Sequence, residues 1–232
     1  MNHDVNSETQ GFHNLREAMT APGCPICTVS ANEVTRYMRS TNYDGVADPG
    51  IRQQFERSLG FCNAHAYLWL ETAFVLGTAQ MYRDLVRLVR RQLDQPKPAG
   101  GIFARGRRES GLPVAQAPCP VCELQERVES SLVATLVRGL VKGELVADYE
   151  ASTGCCLPHL HPALAQASGN AERVLRQHAI TAADALLAHL DETVRKHDYR
   201  FRHEPAGSEV GSPARAVRFI AGALGTRPGG KA

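Results

Sequence analysis

Seven cysteines stand at 24, 27, 62, 119, 122, 155 and 156, and their spacing is not scattered. Cys24-Pro25-Ile26-Cys27 is followed, 35 residues after Cys27, by Cys62-Asn63-Ala64-His65. Cys119-Pro120-Val121-Cys122 is followed, 34 residues after Cys122, by Cys156-Leu157-Pro158-His159. A CPxC pair at the start of a helix aims two sulfurs at one point, and free amides there favour thiolate charge. Cys and His at i and i+3 share a helix face, so they too converge. The expected ligands are Cys24, Cys27, Cys62 and His65 in the first copy, and Cys119, Cys122, Cys156 and His159 in the second. Each Cys3His set suits a structural, four-coordinate zinc ion, giving two ions per chain.

Other chemistry fits part of the pattern. Three thiolates and an imidazole also hold iron–sulfur clusters, the alternative cofactor, and the alternative role is an iron–sulfur electron-transfer or thiol-based redox-sensing protein. A CPxC pair resembles thiol–disulfide motifs, but these expect a βαβ setting and leave CxxH unexplained. A third reading makes the cysteines plain core residues. Cys155, next to Cys156, aligns with Phe61 of the first copy and is read as its buried substitute. Whether Cys155 or His161 joins the second site stays open.

The elements needed to position these residues are helical. Helix-like stretches cover residues 33–39 and 123–140, with long ones over 68–93 and 171–195. Asp48-Pro49 reads as a helix cap followed by proline at the first helical position. No alternating strand pattern occurs. The expected fold is all-α, with tandem duplicated helical modules, each built around a CPxC…CxxH metal site. Domains are read as an N-terminal segment (1–20), a first repeat (21–95), a Pro/Gly-rich linker (96–118) and a second repeat (119–204). Residues 205–232 form a linker, a short helix over 214–224 and a flexible tail.

Composition narrows the function classes. With 26 basic and 24 acidic residues the net charge is +2, so nucleic acid is not an expected partner. Arg83 to Arg108 is locally basic, with eight Arg or Lys against two Asp, but no aromatic platform accompanies it. A polar Met1–Val5 lacks signal-peptide character, and no apolar run is long enough to span a bilayer. An odd cysteine count also argues against a secreted disulfide framework, so the expected location is cytoplasmic. No phosphate loop, nucleophile elbow or HExxH appears, which disfavours an enzyme. The expected role is an interaction or adaptor module whose partner is another protein. The sequence does not set the oligomeric state.

Taken together, the two CPxC motifs, Asp48-Pro49, Gly60-Phe61-Cys62-Asn63-Ala64-His65 and the Lys196-His197-Asp198-Tyr199-Arg200-Phe201-Arg202 run resemble an uncharacterised bacterial family, a domain of unknown function. The likeness spans about Ala21 to Gly222. A Trp-Leu-Arg-Ala-type closing helix of that family is replaced here by Ser212-Pro213-Ala214-Arg215-Ala216. The resemblance implies a metal-site architecture and no activity.

Overall fold

In a computed structural model, residues 2–43, 45–94, 112–201 and 203–223 are described, with side chains from residue 9 onward. Most of the linker, Arg202 and the tail after Ala223 lie outside the described residues. Among those described, the chain is all-α, with no strand. The chain forms two compact units. One comprises Met1–Glu33 and Gln125–Arg227, and the other has its described residues in Val34–Leu124. The units are therefore not consecutive in sequence. The division falls within helix α2 (Pro25–Tyr43) and within helix α6 (Pro120–Val141).

The unit containing both termini of the described chain is built from α1 (Asn2–Ala18), the start of α2 and most of α6. It continues through α7 (Val146–Ala151), α8 (Leu157–Gln166), α9 (Gly169–His197) and α10 (Ser212–Ala221). Leu15, Ile26, Leu136, Leu140, Leu145, Tyr149 and Leu175 are fully buried in one core. Helix α1 contributes Leu15 and Ala18 to that core. Burial of large side chains at helical spacing supplies the driving force, about 1.5–3 kcal/mol each.

The other unit holds the end of α2, a 3-10 turn (Gly45–Ala47), α3 (Pro49–Arg57), α4 (Asn63–Thr72), α5 (Val75–Leu93) and the start of α6. Its core gathers Val34, Met38, Phe55, Phe61, Trp69, Met81 and Val121. Asp48 caps α3 as expected: its Oδ1 accepts from the Ile51 amide at 2.9 Å, and Pro49 opens the helix. The single long helix expected over 68–93 is instead two, α4 and α5. Ala73 and Phe74 are extended, with ψ of 149° and 146°. Trp69, fully buried, spans the break: its Nε1 donates to Thr78 Oγ1 at 3.0 Å.

Element order recurs along the chain. Helices α4 and α8 each have ten residues and begin 94 positions apart; α5 and α9, of 19 and 29 residues, also begin 94 positions apart. Cys62 and Cys156 occupy the same N-cap position, with φ, ψ of −62°, 167° and −68°, 161°.

Candidate metal centres

Each CPxC lies at the first turn of its helix. The Cys24 carbonyl accepts from the Thr28 amide and the Cys119 carbonyl from the Glu123 amide, both at 3.1 Å. Proline occupies the first helical position, where its missing N–H costs nothing. Ile26 and Val121, inside the motifs, are fully buried and pin each turn to its core.

The CxxH pairs are set by tight turns. Gly60 and Gly154 adopt φ of +87° and +78°, a region that favours glycine. A Cβ on Gly154 would sit 2.5 Å from the His178 ring, so this turn also needs the absent side chain. After each turn one residue enters the core, Phe61 or Cys155, and the next begins a helix, Cys62 or Cys156.

All eight expected residues are brought into two four-residue groups, but not in sequence order. Cys24 and Cys27 meet Cys156 and His159, whereas Cys62 and His65 meet Cys119 and Cys122. The expected pairing of each CPxC with its own downstream CxxH is corrected: each pair takes its complement from the other copy. Each group lies within one compact unit. Spacing alone could not reveal this, because exchanging the two CxxH pairs leaves every motif unchanged.

In the first group, His159 Nδ1 is 3.5 Å from Cys24 Sγ, 3.4 Å from Cys27 Sγ and 3.2 Å from Cys156 Sγ. Cys27 and Cys156 sulfurs are 3.6 Å apart. In the second, His65 Nδ1 is 3.2 Å from Cys62 Sγ, 3.7 Å from Cys119 Sγ and 3.3 Å from Cys122 Sγ. Cys62 and Cys122 sulfurs are again 3.6 Å apart. None of the seven cysteines is in a disulfide. These separations are far longer than the ~2.05 Å of a disulfide bond.

The other face of His159 is held by a buried carboxylate. His159 Nε2 lies 3.2 Å from Glu129 Oε2, while Glu129 Oε1 accepts from Ser30 Oγ at 3.0 Å and Gln125 Nε2 at 2.8 Å. This arrangement fixes the ring with Nδ1 toward the sulfurs. The position corresponding to Glu129 in the other copy, seven residues past the second CPxC cysteine, is the buried apolar Val34. Glu129 was not among the expected site residues. Its signal was a lone glutamate on the apolar face of α6.

Hydrogen bonds from Cys155, Cys156 and Cys27 hold the Cys24 thiol well below its ordinary value. Hydrogen bonding to Cys24 and then Cys27, with burial, pushes the Cys156 thiol up. Burial opposes charge on His159, but hydrogen bonds to Cys24, Cys27 and Glu129 outweigh it and push its pKa up to about 11. Burial raises the Cys119 thiol. Cys155 is buried in the core beside Cys24, outside the four-residue group, and its amide donates to Tyr149 Oη at 3.3 Å. His161 also lies outside the group.

The Lys196–Glu204 segment ties the end of α9 to the loop before α10. Arg195 pairs with Glu192 at 2.7 Å and with Glu204, and its guanidinium lies 4.7 Å from the Phe201 ring centroid. Lys196 Nζ meets Glu209 at 2.8 Å. No helix among the described residues is long and apolar enough to cross a membrane.

No family model matches this chain, and no solved structure does. It is similar to an uncharacterised 23.9 kDa protein in the xynA 3′ region of Caldicellulosiruptor sp. (strain Rt8B.4). The two are 25% identical over 202 residues, covering 86% of this chain and 95% of that protein, a likeness consistent with an uncharacterised family.

Proposed function

We propose that this chain is a helical interaction module stapled by two mononuclear zinc sites. One ion is held by Cys24, Cys27, Cys156 and His159, the other by Cys62, His65, Cys119 and Cys122. The observation that carries this reading is the spacing of the donors. A tetrahedral ion with bonds of about 2.3 Å to sulfur and 2.05 Å to nitrogen separates its sulfurs by ~3.8 Å and sulfur from nitrogen by ~3.6 Å. The observed 3.6 Å between sulfurs and 3.2–3.7 Å from sulfur to nitrogen lie close to those edges, which supports a single four-coordinate ion in each group. An iron–sulfur cluster places several iron and sulfide atoms between its ligands, and donors all within 4.8 Å of one another leave space for one ion.

Four protein donors per ion leave no open position for water or substrate, which supports a structural role over a catalytic one. Thiolates must stay reduced to bind, so the reading fits a reducing compartment such as the cytoplasm. The recurring helix order supports descent of the two halves from one ancestral module. An adaptor role is supported by apolar side chains around the α4–α5 junction. Tyr67, Leu70, Phe74, Val75 and Leu76 are each more than half exposed there, Val75 at 87%. A cluster of this kind suits a protein partner.

Elemental analysis of anaerobically purified full-length protein tests the reading. Two zinc ions per chain with no visible absorption are expected. Iron with visible absorption replaces zinc by the runner-up cofactor, and a folded chain without metal overturns the proposal.

A further inference from the structure

Beside the first cysteine group is a cavity of about 540 Å³, bounded by α9, α10 and the turn that carries Cys155 and Cys156. That volume lies in the range of small-molecule sites. Cys24 lies on one side of it, and Leu186 of α9 and Phe219 of α10 line it with apolar surface. No aspartate or glutamate contributes to its lining, whereas Arg215 and Arg218 both do.

The two arginines are prepared differently for an anion. Arg215 is immobilised by neutral acceptors: Nη1 donates to the Val210 carbonyl at 2.8 Å, and Nη2 to the Ser208 carbonyl at 3.0 Å and His189 Nδ1 at 3.2 Å. Its charge therefore has no carboxylate against it. Among the described residues, no hydrogen bond or ion pair engages the Arg218 guanidinium. Elsewhere in the same unit, arginines such as Arg16, Arg176 and Arg195 are paired with carboxylates. Two positive charges with no acidic counterpart, at an apolar cavity, complement a ligand with an apolar body and one anionic group.

We infer that this cavity binds a small apolar carboxylate, its anionic group on Arg218 and Arg215 and its body against Leu186 and Phe219. The zinc reading concerns the neighbouring thiols. Arg215 and Arg218 are not among the metal donors, so anion binding there stands apart from the zinc sites.

Titration calorimetry on the purified full chain, with metal content measured on the same sample, tests it. The probes are decanoate below its micellar concentration, 1-naphthoate, and uncharged decanol as the charge control. Decanoate is expected to bind about tenfold or more tighter than decanol, as a charge-assisted contact would give. Arg218→Gln should remove about tenfold from decanoate binding and leave decanol unchanged. Ala185→Trp, which fills the cavity from α9, should abolish binding of both while circular dichroism stays that of the parent. Metal-loaded protein that binds neither carboxylate at millimolar concentration overturns the cavity assignment and leaves the zinc reading standing. Unchanged binding in the Ala185→Trp variant, or an unchanged decanoate-to-decanol ratio in Arg218→Gln, overturns it as well. A folded, metal-poor protein that binds decanoate overturns the zinc reading alone.

Discussion

Cys27 and Cys62 lie in the same sequence half but in different donor groups, and Cys27 and Cys156 lie in different halves but in one group. Paired substitutions to serine therefore separate the observed pairing from the sequential one. Each single variant should retain one ion per chain, because losing one of three thiolates disables only its own site. Cys27→Ser with Cys156→Ser damages one site twice and should still retain one ion. Cys27→Ser with Cys62→Ser damages both and should retain none. The energetic scale makes these differences large. Structural zinc contributes about 10–16 kcal/mol near neutral pH, comparable with the 5–15 kcal/mol of a whole domain. The Cys27–Cys156 double variant should thus melt close to either single variant, while Cys27–Cys62 should be far less stable than both. Elemental analysis and thermal melts on the same preparations read this directly. One ion retained by Cys27–Cys62 and none by Cys27–Cys156 would refute the crossed pairing.

Three further outcomes are expected. Glu129→Gln removes the carboxylate behind His159, so the Cys24 site should lose about 10–100-fold in zinc affinity while the Cys62 site is unaltered, as read by competition with a chromogenic chelator; equal release from both sites would contradict it. Cys155→Ala should keep both ions at a cost of about 1 kcal/mol, whereas Cys156→Ala should lose the ion of its unit. Glu209, held down to about 2 by Lys196 and by the backbone amides of Gly207 and itself, has a depressed pKa. Its contribution to stability is then complete above the ordinary value of about 4.3 and is lost as pH falls towards 2. A carboxyl titration by NMR should place its midpoint near 2, and Lys196→Ala should move that midpoint upward.

The members of the two Cys/His groups were legible because eight residues of two rare types stand at repeated intervals. Cys156 could be separated from Cys155 because helical spacing to His159 and alignment with Phe61 agree, and Cys155 is indeed in the core. Partner choice was not legible: it depends on where α2 and α6 run in three dimensions, which local spacing does not record. The α4–α5 break was hidden for a local reason. Ala73 and Phe74 carry no proline or glycine signal, and the Trp69–Thr78 hydrogen bond that spans the break joins residues nine apart. Helix α1 escaped notice because its first residues are polar and its core contacts, Leu15 and Ala18, come in its last turn. The Arg195–Glu204 clamp joins residues nine apart across a loop, a distance no periodicity reports.

Crossed pairing also imposes an order in time on a chain made from its N-terminus. The first CPxC to leave the ribosome is the last to find its partners. The Cys62 site is complete once residue 122 has emerged, whereas Cys24 and Cys27 must wait for His159, 37 residues later. At ordinary synthesis rates that interval is about 2–7 seconds. Before residue 119 is made, the members of the two groups already present are Cys24, Cys27, Cys62 and His65, a Cys3His set in the wrong combination. An ion captured then would hold the nascent chain in a misassembled form until thiolate exchange released it. Under the zinc proposal, metal supply during synthesis, and not affinity alone, is expected to set how much of this protein reaches its final fold.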